Sequence, residues 1–210
     1  MVLESSEQQK RGFRDLMKSN KKSLISLCVI LVFIGFAFLW LDYSEKNKRI
    51  KISENFIEAK IFLTKNNRSK SLEILNYIIM EKDKIYSPLS LFLIMDQGLE
   101  ADAEIILSYF DKILSIRSLK NEDLNLLKLK KAIFISNTSN KEQDMLDLLN
   151  PIINSDSVWK FQSLKFLADY YFSLKQFKKA EQYYSLLLDS DDSNIDQNEI
   201  KRKMKLIKNG

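Results

Sequence analysis

Side-chain chemistry near neutral pH usually begins with histidine or a thiolate. This chain of 210 residues has no histidine and a single cysteine, Cys28. The commonest general base and the commonest zinc ligand are therefore missing. The densest group of oxygen ligands is Asp189, Asp191, Asp192 and Asp196. Asp189 and Asp191 keep the first two ligand spacings of an EF-hand. Position six, however, is Asn194 where the turn needs glycine, and position twelve is Ile200 where a bidentate glutamate belongs. A solvated loop is the better reading. Four glycines in the whole chain leave no glycine-rich phosphate loop, and the remaining carboxylates, lysines and hydroxyls form no convergent set. The expectation is a protein that is not an enzyme and that holds no cofactor and no metal.

Binding chemistry is what remains. Lys201, Arg202, Lys203, Lys205 and Lys208 form a basic run that suits either anionic lipid or the C-terminal end of a helix dipole, and the second reading is the simpler. A pI near 9.0 and a net charge of +5 invite a nucleic-acid reading. The charge is unevenly divided: residues 1–22 hold six basic and three acidic side chains, leaving 27 basic and 25 acidic beyond them. Phosphate binding requires a concentrated basic surface, so no nucleic-acid partner is expected.

The basic head leads into residues 24–41, LISLCVILVFIGFAFLWL, an uncharged run in which thirteen residues are Leu, Ile, Val or Phe. As a helix it reaches roughly 27 Å, close to the hydrocarbon core of a bilayer. Its insertion would be favourable by up to roughly 4–8 kcal/mol on the translocon scale. A cleaved signal peptide has a shorter apolar region and a small-residue exit. This run leaves through Phe38, Leu39, Trp40, Leu41, Asp42 and Tyr43, which favours a retained anchor over a signal peptide or a buried soluble helix. Trp40 and Tyr43 are the expected membrane-interface residues. Gly35 has no small partner at helical spacing, so the run carries no motif for tight self-association. Flanking Lys21 and Lys22 place the N-terminus in the cytoplasm and the C-terminal part outside it. The expected division is a tail over 1–22, a transmembrane helix over 23–43, a linker over 44–52 and a helical domain over 53–210.

Beyond the anchor, apolar residues recur with helical period, as at Leu72, Leu75, Ile78 and Ile79, then Ile105, Ile106, Tyr109, Phe110, Ile113 and Leu114. With two prolines and four glycines there is little hairpin-turn chemistry, and the fold class expected is all-α. Ser87 before Pro88 predicts a helix start, Ser139 with Glu142 a capping box, and Pro151 the end or a kink of the helix carrying Leu146 and Leu149. Leu167, Ala168, Tyr171, Ala180 and Tyr184, with a turn near Lys175 and Gln176, match the large, small and aromatic packing positions of a tetratricopeptide repeat (TPR). Weaker copies run through Phe56, Ala59, Leu72 and Leu75, through Leu91, Ile94, Gly98, Ala103 and Leu107, and through Ala132, Ile133, Met145 and Leu149. An insertion is placed at Ser115 to Asn125, and a polar capping helix at about Ile195 to Lys208. An irregular helical bundle with one accidental repeat match is the alternative. If Leu164, Leu167 and Tyr171 point inward, then Lys165, Asp169 and Phe172 face the concave side as candidate partner-binding residues. Phe172 is either a binding anchor or packing for a neighbouring helix.

These features together resemble the YfgM-like family, small bacterial membrane-anchored TPR-like proteins that are ancillary to the SecYEG translocon. The resemblance covers nearly the whole chain. It rests on total length, a charged N-terminal tail, an anchor ending in Trp40 and Tyr43, the pattern Leu164, Leu167, Ala168, Leu174, Ala180, Tyr184 and Leu187, and a last helix with Arg202, Met204 and Leu206. It implies an inner-membrane protein whose repeat domain lies in the periplasm. The implied partners are the SecYEG channel, a membrane-anchored periplasmic chaperone of the peptidyl-prolyl isomerase-like class, and exported client proteins. The chain departs from the family in being rich in Lys, Ile and Asn and poor in Ala and Gly. A scaffold in another envelope assembly, such as cell division or outer-membrane biogenesis, is the alternative with the same fold and topology.

Overall fold

The computed structural model describes residues 21–138, 141–188 and 197–209. The basic residues upstream of Lys21, Ser139 and the acidic stretch Asp189 to Asp196 lie outside the described residues. Every described element is a helix: α1 (Lys21–Thr64), α2 (Arg68–Met80), α3 (Tyr86–Asp96), α4 (Ala103–Leu114), α5 (Asn121–Thr138), α6 (Glu142–Ile153), α7 (Lys160–Ser173), α8 (Phe177–Leu188) and α9 (Gln197–Asn209). The chain divides after Glu54 into two compact units. In the first, α1 contains the apolar run, and residues 44–52, read from sequence as a linker, continue its helix. Among the described residues no helix is long and apolar enough to cross a membrane. Most side chains of the run 24–41 are themselves outside the described set.

In the second unit the helix ends explain the chain's economy of glycine. α1, α3 and α7 each close with a residue in the left-handed region, whose successor's N–H reaches back five residues: Asn67 to Phe62, Leu99 to Ile94 and Gln176 to Tyr171, at 2.8–2.9 Å. The left-handed residues are Asn66, Gly98 and Lys175, and Lys82 after α2 is left-handed as well. Helix starts use short acceptors. Asn67 accepts from the Lys70 N–H and Asp102 from the Glu104 N–H.

Two expected boundaries are corrected. α3 begins at Tyr86 with Ile85 at the cap position, and Asp83 just upstream accepts from the N–H groups of Ile85 and Tyr86 at 2.8 Å, so Ser87 is not the cap. Ser87 is instead buried in the first turn, where its hydroxyl donates to the Ile78 carbonyl at 2.9 Å and ties α3 to α2. α6 is preceded by Lys141 with no side-chain cap, so Glu142 is the first helical residue and belongs to no capping box. The helix that carries Leu146 and Leu149 ends at Ile153, two residues beyond Pro151.

The tightest antiparallel pairs are α2 with α3, α5 with α6 and α7 with α8. This shifts the pairing expected for the N-terminal half, which joined α1 to α2 and α3 to α4. α4 has no hairpin mate and packs on α2, α3 and α5 instead. The predicted insertion is divided between a short link, in which Ile116 and Leu119 are buried, and an α5 of eighteen residues. Successive pairs bury a continuous core. Leu129, Ala132, Met145 and Leu149 pack onward to Leu164, Leu167, Ala168 and Tyr171, then to Ala180, Tyr184, Leu187 and Ile200.

Candidate functional site: the surface of the last repeat

The residues expected to line a groove lie on α7, where the 3.6-residue period that buries Leu164, Leu167, Ala168 and Tyr171 turns Lys165, Asp169 and Phe172 sideways. α9 meets them there. Lys165 Nζ lies 3.0 Å from Glu199 Oε1 and 3.3 Å from Asp169 Oδ2. Lys203 Nζ lies 2.7 Å from Asp169 Oδ1 and 2.9 Å from Glu199 Oε1. The Tyr184 hydroxyl of α8 donates to Asp169 Oδ1 at 2.5 Å. Phe172 is half-buried, its ring 5.8 Å from that of Phe177 and 6.4 Å from that of Tyr184. Lys165 and Asp169 are thus brought together with each other and engaged by the chain's own last helix, while Phe172 packs within its hairpin. Trp40 and Tyr43, the expected membrane-interface pair, are both about two-thirds exposed on α1.

The electrostatics of this cluster are those of a mutually satisfied network. Burial alone would raise the pKa of Asp169. The bonds from Lys203 and Tyr184, with the charges of Lys165 and Lys203, outweigh it and hold the carboxyl below its usual range. Glu199 is lowered by its bonds to Lys203 and Lys165. Burial would lower Lys203, but Asp169 and Glu199 raise it. Burial and the Asp169 carboxylate keep the Tyr184 hydroxyl protonated.

A similar cluster lies one helix earlier, joining α6, α7 and α8. The Tyr171 hydroxyl donates to Glu142 Oε1 at 2.7 Å, Lys179 Nζ reaches the same oxygen at 2.8 Å, and the ammonium sits 4.7 Å from the centroid of the Tyr171 ring. The Tyr183 ring stacks on that of Tyr171 at 5.7 Å. A third junction ties α5 to α7: Glu122 accepts from the Ser157 hydroxyl at 2.7 Å and the Val158 N–H at 3.2 Å, while its carbonyl accepts from Trp159 Nε1 at 2.9 Å. Sequence reasoning missed Glu142, Tyr171 and Glu122 as polar partners. Repeat spacing offered no common signal for them, since Glu142 lies 29 residues from Tyr171 and 37 from Lys179, and Glu122 lies 35 from Ser157, whereas Lys165 to Glu199 and Asp169 to Lys203 keep 34, one TPR length.

A separate cavity of about 390 Å³ opens between α4, α5 and α6. Its acidic rim is partly answered from within, since Lys131 meets Asp111 at 2.5 Å and Lys141 lies 4.0 Å from Glu104. Among the described residues no group of three or more metal-ligating side chains could hold an ion. The clusters join helix to helix through shared carboxylates.

No family model and no curated protein matches the sequence. Among solved structures the chain is similar to a crystal structure of nearly identical TPR-like repeats from Podosopora anserina, described as those of a kinesin light chain. The two share 12% identity with a TM-score of 0.50, over 76% of this chain and 85% of that one. The fold is therefore TPR-like. The likeness does not single out the YfgM-like group.

Proposed function

We propose that this chain is a membrane-tethered adaptor of the bacterial envelope, anchored by residues 24–41 and offering its TPR-like domain to protein partners. The observation that carries the tether is the surface of α1. Ile30, Phe33, Ile34, Phe36 and Trp40 are exposed there, Phe33 by 72% and Trp40 by 69%. Five large apolar side chains over eleven residues form a patch that water disfavours and lipid accepts. The flanking charges support a cytoplasmic N-terminus and a periplasmic repeat domain. The resemblance to the YfgM-like family supports the finer reading, an ancillary subunit at the SecYEG channel that binds a membrane-anchored periplasmic chaperone and assists exported proteins. Lys165, Asp169 and Phe172 are the proposed partner-facing residues, through the part of each that α9 and the hairpin leave exposed, 44% of the Lys165 side chain and 36% of that of Asp169.

Two measurements test this. After alkaline extraction of membranes the full chain stays in the pellet; release into the supernatant refutes the tether. Photo-crosslinkers at Phe172 and within residues 24–41, followed by gentle detergent extraction and mass spectrometry, capture translocon and chaperone subunits. Consistent capture of division or outer-membrane assembly components instead replaces the finer reading while leaving the adaptor role.

A further inference from the structure

We propose that the outward face of α9 is a docking surface for anionic phospholipid headgroups; this rests on the membrane tether proposed above. α9 sorts its side chains around its circumference. Ile200 is buried, and Lys203, Met204 and Ile207 are half-buried against the preceding hairpin. The helix has one acidic residue, Glu199, and its carboxylate is drawn inward to Lys165 and Lys203. Lys201, Arg202 and Lys205 are left exposed with Leu206; Lys201 with Lys205 and Arg202 with Leu206 are each four residues apart and so form two adjacent rows on the exposed side. None of these three cations has an ion-pair partner among the described residues.

Helix stability does not account for this arrangement, because Lys201 and Arg202 stand well before the last turn, where cations complement the dipole. Three cations around a leucine that is 61% exposed have the composition of a helix that lies on a membrane surface. An acidic polypeptide would satisfy the charges, but it would not account for the leucine. A tethered chain also never leaves the bilayer, so a weak contact suffices. Each basic residue strengthens contact with an anionic surface about fivefold, and three give on the order of a hundredfold, declining with salt.

The test uses the full chain in nanodiscs of phosphatidylcholine, with or without phosphatidylglycerol. A fluorophore is placed at Gln197→Cys in a Cys28→Ser background, and a quencher is attached to lipid headgroups. Strong quenching is expected only with phosphatidylglycerol, and its loss is expected in high salt and in the combined variant Lys201→Gln, Arg202→Gln, Lys205→Gln. A control of equal charge loss elsewhere, Lys65→Gln, Lys84→Gln, Lys130→Gln, retains the quenching. Quenching that ignores phosphatidylglycerol, or that survives the triple variant, overturns the proposal. So does a polyglutamate peptide that shifts the label's emission in phosphatidylcholine discs as strongly as phosphatidylglycerol does, which would assign the face to an acidic polypeptide. A chain that never enters the discs refutes the tether, whereas one that enters without quenching refutes the lipid face alone.

Discussion

Tyr184 and Tyr171 stand in the core with their hydroxyls turned to carboxylates at the edge, and each carboxylate is shared with a lysine. A tyrosine in a repeat position is thus both a packing body and a strut to the preceding helix. Tyr184→Phe keeps the ring and removes one donor from Asp169. It should lower stability by about 1 kcal/mol, the value for a bond to a charged group discounted for partial exposure, measured by urea denaturation. Tyr171→Phe should behave alike, and no change in either variant would show that the lysines alone satisfy the carboxylates. The packing roles of these tyrosines were legible in the sequence because large, small and aromatic residues keep fixed spacing. Their hydroxyl partners were not, since Glu142 and Asp169 read as ordinary charges on solvated faces until the neighbouring helix is in place.

At the scale of the element, the features that blurred the upstream repeats have a common cause. Where α7 and α8 cross through Ala168 and Ala180, the α2 and α3 hairpin is closed around Ser71, Ser87 and Ser90, all fully buried. Serine does the small-residue work of alanine, so a search for alanine and glycine passes over it. The helix ends hide in the same way, with Asn66, Lys82 and Lys175 in the left-handed conformation that glycine usually supplies. Lysine there carries backbone strain that glycine does not. Lys175→Gly should therefore raise the thermal midpoint, by the equivalent of up to about 1 kcal/mol. Gly98→Ala, at φ +55 with open space around the added carbon, should lower it by a similar amount, through backbone strain alone. The orphan position of α4 was beyond sequence reasoning, because its helical period is the same whichever neighbour receives it.

At the scale of the whole molecule, contacts pass from each helical pair to the next, and stability in such arrays is a chain of local terms. The last term is electrostatic at its edge. Asp169 and Glu199 have lowered pKa values through their lysine partners, so their contribution is complete above about pH 4, where free carboxylates ionise. It is lost as pH falls through the lowered folded values. Lys203 has a raised pKa, so its share is present at neutral pH and lost only as pH rises through that raised value. Hydrogen exchange followed from neutral to acid pH should show residues 197–209 losing protection before α7 and α8 do. Simultaneous loss across all three helices would refute a separate last term. All-helical character and the TPR-like pattern were readable from period and composition, but which charges join repeat to repeat depends on three-dimensional register.

The contacts joining Lys165 to Glu199 and Asp169 to Lys203 each close a loop of 34 residues at the last junction, whereas Lys179 to Glu142 closes one of 37. Drawn from its ends, the chain would pay out junction by junction, each yielding its own quantum of slack before the next takes the load. Tension would then be recorded as an uneven staircase, with the height of each step set by the loop its junction closes.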